Sequence, residues 1–226
     1  MLKFGVIAEG KTDQRVIKNI LLGYFDGEEE EPVVTFVQPI VGTFGGWTLV
    51  FECLKRGEAQ RSLQLNDFLV IHIDTDVQEE PGFDVPRQEQ GEKLSLSDRV
   101  LRVIARLKRD IDATFFQING HRILFAIAVD SIECWLLPLL YRDKKKAAKT
   151  EGCLESANRA LRKTDNEALS AGEKSFIAYE KASSGYRKRK TLTQLRNKNP
   201  SLELFIQQLD VLQKRIIANT VGDQPG

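Results

Sequence analysis

The chain alternates between short apolar runs and amphipathic stretches. Leu2-Lys3-Phe4-Gly5-Val6-Ile7-Ala8 and Phe68-Leu69-Val70-Ile71-His72-Ile73 are nearly continuous in apolar residues, and runs of this length read as buried parallel strands. The pattern predicts strands at 2–8, 33–40, 67–73 and 123–129. Val16, Ile17, Ile20, Leu21 and Tyr24 mark a helix capped by Thr12 or Asp13. Trp47, Val50, Phe51 and Leu54 mark a second helix over 47–59. Val100, Leu101, Ile104 and Leu107 mark a third over 98–110, capped by Ser95 or Ser97. Residues 26–32 form a solvated connection, and Gly42-Thr43-Phe44-Gly45-Gly46 breaks regular structure.

Alternating strands and helices over residues 1–141 argue an α/β domain with a mostly parallel sheet flanked by helices. From 142 to 226 no strand pattern remains; helices at 151–163, 171–181 and 201–218 predict a helical C-terminal extension packed on that domain. The polar segment from Gln78 to Lys93, with two Pro and two Gly, is long for a loop. It reads either as a flap over a neighbouring site or as a surface insertion.

Composition narrows the picture little. The chain is 42% apolar and 29% charged with a net charge of +1, so any attraction to nucleic acid must come from a local patch. No apolar stretch reaches membrane-spanning length, and the early entry into a strand leaves no room for a secretory leader. Cys53, Cys134 and Cys153 are odd in number and lack metal-like spacing, so each is expected to be a buried reduced thiol in a cytoplasmic protein.

The chemistry lies where the two apolar runs end. The first ends in Glu9-Gly10-Lys11-Thr12-Asp13 and the second in Asp74-Thr75-Asp76. In open α/β sheets ligands bind outside the carboxyl ends of the strands. Alternate residues of an extended chain share a side, so Asp74 and Asp76 can face one pocket, and Glu9 joins them if the first and third strands are neighbours. Such a cluster of hard oxygen donors suits Mg²⁺ or Mn²⁺.

A strand ending in Glu-Gly, Asp13 on the next helix and a later strand ending in Asp-x-Asp together resemble the TOPRIM domain of topoisomerases, primases and several nucleases. Asp130-Ser131-Ile132-Glu133-Cys134-Trp135-Leu136-Leu137 resembles a segment of RloB-like, defence-associated TOPRIM-like proteins, and the Ser-x-Glu step of overcoming-lysogenisation-defect nucleases. Asn199-Pro200-Ser201 is similar to a late segment of the RloB-like group. The resemblance implies a TOPRIM-like, Rossmann-like sheet. It implies metal held by Glu9, Asp74 and Asp76, and a nuclease acting in defence against phage or foreign DNA.

Glu133 is expected to assist as a fourth catalytic residue, completing a second metal site or orienting a water. Lys11 can neutralise a substrate phosphate, and Asp13 caps its helix or holds the Glu9-Gly10 turn. His72 is expected to be a core histidine. Between Ser183 and Leu202 stand six basic residues and no acid: Arg187, Lys188, Arg189, Lys190, Arg196 and Lys198. They form a candidate nucleic-acid patch, with Lys144-Lys145-Lys146 a weaker one. The function expected is a Mg²⁺-dependent phosphodiesterase on nucleic acid. The alternatives are a non-catalytic module binding metal or nucleic acid with a partner protein, and a phosphatase of the haloacid-dehalogenase type built on the Asp-x-Asp.

Overall fold

Successive residues of each apolar run fall on opposite faces of one sheet, and two cores result. The computed structural model describes residues 1–40, 43–164, 166–169 and 176–222. In it β1 (Lys3–Ile7) leads through α1 (Lys11–Tyr24) to β2 (Val33–Gln38), then through α2 (Trp47–Lys55) and α3 (Glu58–Leu65) to β3 (Phe68–Asp74). A small hairpin, β4 (Gln88–Glu89) and β5 (Glu92–Lys93), precedes α4 (Leu96–Lys108), α5 (Ala113–Asn119) and β6 (Ile123–Ala128). There follow α6 (Glu133–Leu140), α7 (Lys144–Ala147), α8 (Cys153–Leu161), α9 (Phe176–Ser183), α10 (Arg189–Leu195) and α11 (Pro200–Gly222).

The main sheet has four parallel strands in the order β2-β1-β3-β6. Phe4, Val6, Val70, Leu124 and Ala126 face α1, α6 and the C-terminal helices. Ile7, Leu69, Ile71, Phe125 and Ile127 face α2, α3 and α4. Helices thus cover both faces, and the chain reverses its direction of travel across the sheet between β1 and β3, the position where such sheets open a crevice. Ala157, Tyr179, Tyr186, Leu192, Phe205 and Leu209 share the core of the first face, so the C-terminal helices complete the sheet's cover instead of building a core of their own.

Several details differ from the sequence expectations. The helix expected over 47–59 is two helices, because the chain breaks at Gly57 (φ +77°), a conformation glycine adopts without steric cost. α1 begins at Lys11 with Gly10 as its cap residue; Asp13 sits one turn in and accepts the Gly10 N–H at 2.6 Å. Ser95 caps α4 by accepting the Asp98 N–H at 3.1 Å. The helix expected over 171–181 lies partly outside the described residues, and α9 begins at Phe176.

The 78–93 segment is anchored, contrary to a free flap. Phe83 is buried against Trp47 and Phe51, with ring centroids 5.6 and 5.1 Å away. Arg106 donates to the carbonyls of Phe83 at 3.1 Å and Gly82 at 2.8 Å. The buried amide of Gln78 donates to the Val85 carbonyl at 3.0 Å. A buried aromatic and internal backbone pairing make this segment part of the core; its hairpin residues are exposed.

The edge strand β6 is closed by a side chain. Gln208 of α11 accepts the Phe125 N–H at 2.9 Å and donates to the Phe125 carbonyl at 2.8 Å, as a neighbouring strand would.

The cysteine expectation is corrected. Cys134 and Cys153 form a disulfide that joins the first turn of α6 to the first residue of α8, while Cys53 is a buried free thiol. An odd number of cysteines without metal-like spacing does not reveal the pair, because α6 and α8 meet only in the folded chain. Closing a loop with sequence separation 19 stabilises by about 3 kcal/mol through the unfolded ensemble. Reduction is therefore expected to lower Tm by roughly 6–12 °C at this chain size. Scanning with and without reductant, with alkylation and intact mass to count thiols, checks this.

Candidate metal and phosphate site

The carboxyl ends of β1 and β3 bring Glu9 and Asp74 together, while Asp76 stands apart from them on the exposed rim. Glu9 lies two residues beyond β1 and Asp74 is the last residue of β3. The Asp74 backbone N–H donates to Glu9 Oε2 at 3.3 Å, which ties the Glu9 side chain to the end of β3, 65 residues away. Asp13 enters the same group from the first turn of α1, where it also accepts the Thr12 hydroxyl at 3.0 Å. His72, two residues before Asp74, is fully buried with Nε2 3.5 Å from Asp74 Oδ1 and Nδ1 3.8 Å from Asp13 Oδ2. Both distances are longer than an ordinary hydrogen bond. Trp135 meets the imidazole edge-on at 6.1 Å.

Glu133 is delivered to the buried side of this group by the start of α6. Its Oε1 accepts the hydroxyl of Tyr179 from α9. Burial pushes the Tyr179 phenol far above its usual range, and the negative charges of Glu133, then Asp13 and Asp74, push it further, so it stays a proton donor.

Asp76 is exposed and turns toward its own chain, with Oδ1 accepting the Val77 N–H at 2.9 Å. Asp130, after β6, adopts φ +66° and is tied to Thr75 twice. Its N–H donates to Thr75 Oγ1 at 2.9 Å and its carbonyl accepts the Thr75 N–H at 3.0 Å. Burial, and then the charge of Asp76, raise the Asp130 carboxyl above the usual range. Asp130 also lies near both paired cysteines, all three ligand atoms within 4.8 Å, but the two sulfurs are committed to the disulfide.

Two arginines that sequence reasoning missed border this rim. Arg87 donates to the Thr75 carbonyl at 3.0 Å and to the Asp76 carbonyl. Arg99 donates to Thr75 Oγ1 at 3.2 Å and to Gln78 Oε1 at 2.9 Å. Burial lowers the Arg99 guanidinium from its usual range, and the positive charge of Arg87 lowers it further. The sequence signal for Arg87 was its place on the long segment next to Asp76; Arg99 lies in the first turn of α4 and carried none.

The basic run is placed elsewhere. Tyr186 packs its backbone carbonyl against Gly23 near the end of α1, and Arg187, Lys188, Arg189 and Lys190 follow it. The 14-residue α1 is about 21 Å long and has the acids at its other end. Arg189 pairs with Glu28 at 3.8 Å, and Arg196 with Glu203 and Asp210, both at 2.7 Å. Lys11 opens α1 beside the acids, and Lys144, Lys145 and Lys146 are exposed on α7.

No family model, curated protein or solved structure matches the chain. Among the described residues, no helix is long and apolar enough to cross a membrane.

Proposed function

We propose that the chain is a TOPRIM-like, metal-dependent phosphodiesterase that cleaves nucleic acid, in keeping with a role in defence against foreign DNA. The observation that carries this is the contact of the Glu9 carboxylate with the Asp74 amide at the β1/β3 switch point, with Asp13 in the same group. The donor set fits a hard dication, because it is all carboxylate oxygen. Glu9, Asp74 and Asp76 would hold Mg²⁺ or Mn²⁺.

When bound, such an ion polarises a phosphoryl group and lowers the pKa of a water. The chain's own residues supply the rest. His72 lies between Asp13 and Asp74, 3.8 and 3.5 Å from their carboxylate oxygens, and packs beneath them. Glu133 assists by fixing the Tyr179 hydroxyl, which remains protonated. Arg87, Arg99 and Lys11 offer cations to phosphate oxygens.

Incubation with single- and double-stranded DNA and RNA, in Mg²⁺, Mn²⁺ or EDTA, tests the proposal. Metal-dependent cleavage that Glu9→Gln removes supports it. Binding without turnover would replace it with a module that acts through a partner protein. Phosphate release from small monoesters alone would replace it with a phosphatase.

A further inference from the structure

Phe44 is the most exposed of the large apolar residues described, at 90% of its surface. Its position is set by the acids' own backbone. The N–H of Gly46 donates to the Glu9 carbonyl at 2.8 Å, and a Cβ on Gly45 would come within 2.1 Å of that oxygen, so only glycine permits the approach. Phe44 directly precedes Gly45, with its Cα about 3.8 Å from that of Gly45. Ile40, 53% exposed, stands at the other foot of the same connection. The strand order puts the Phe44 loop on the β2 side of Glu9, and Arg87 and Arg99 on the β3 side.

An exposed aromatic residue on the β2 side of Glu9, with Arg87 and Arg99 on the β3 side, matches an unpaired nucleobase followed by its phosphates. A base inside a duplex is already stacked on both faces and has no face to offer, whereas one in a single strand does. Resting on the phosphodiesterase assignment above, the geometry points to single-stranded nucleic acid as the substrate, with Phe44 stacking on a base and Arg87 and Arg99 receiving the neighbouring phosphates.

The test uses the full chain and fluorescein-labelled oligonucleotides of one sequence, as single-stranded DNA, single-stranded RNA and duplex DNA. Binding is read by anisotropy in Ca²⁺, and Mn²⁺ binding is titrated in parallel. Single strands bind more tightly than the duplex. Phe44→Ala weakens single-strand binding about 5- to 150-fold and Phe44→Trp restores it, while Mn²⁺ binding does not change. The DNA and RNA arms identify the sugar. Unchanged single-strand affinity in Phe44→Ala, or a duplex bound as tightly as the single strand, overturns the inference. Loss of Mn²⁺ binding in the wild type, with oligonucleotide binding still dependent on Phe44, strikes the phosphodiesterase assignment and leaves the stacking contact standing.

Discussion

Asp74→Asn is expected to reduce metal-dependent cleavage by more than ~100-fold, beyond the 10- to 100-fold usual for groups that only orient a ligand. The substitution keeps the side chain's shape and removes its charge. Asp74 is 6% exposed, sits at the tip of a central strand and touches both Glu9 and His72. Glu9, Asp13 and Asp74 crowd one region, so deleting one charge relieves repulsion, and Tm is expected to stay level or rise while activity disappears. Single-turnover cleavage, Mn²⁺ titration and a thermal scan measure the three quantities. Cleavage within a few-fold of wild type would show that the chemistry lies elsewhere.

Trp135→Ala is expected to be the most damaging single change to stability, at about 3–5 kcal/mol. The ring is fully buried, stacks on Phe205 at 5.7 Å and donates to Ser201 Oγ at 2.8 Å. Its backbone carbonyl accepts the Tyr186 hydroxyl at 2.5 Å. α6, α11 and the chain before α10 therefore meet at one residue, which also abuts His72 beneath the acids. At this size the loss corresponds to a Tm lower by roughly 6–20 °C. Trp135→Phe, which keeps a ring but drops the N–H, should fall between. A change under about 2 °C for the alanine variant would mean that the C-terminal helices do not share the sheet's core.

The central strands and their acids were legible because a strand buried on both faces carries an almost continuous apolar run, which local pattern detects. That Glu9 meets Asp74 was an inference from strand neighbourhood, and the β1–β3 pairing supplies it. α5 escaped detection because it is seven residues long and buries none of them. Gly57 was read through because the apolar period continues on either side of it. Tyr179 with Glu133, and Cys134 with Cys153, are joined only by tertiary packing of helices whose order in space no periodicity encodes. The basic run was legible as composition, but its distance from the acids depends on the direction and length of α1.

The amide of Gln208 has a consequence for assembly. Because it occupies both backbone groups of Phe125, a peptide or second copy arriving at β6 would have to evict it before adding a fifth strand. Sheet extension, the usual route to fibrous self-association, is thereby blocked at Phe125 by one uncharged side chain, and lateral growth is directed to the opposite margin, at β2.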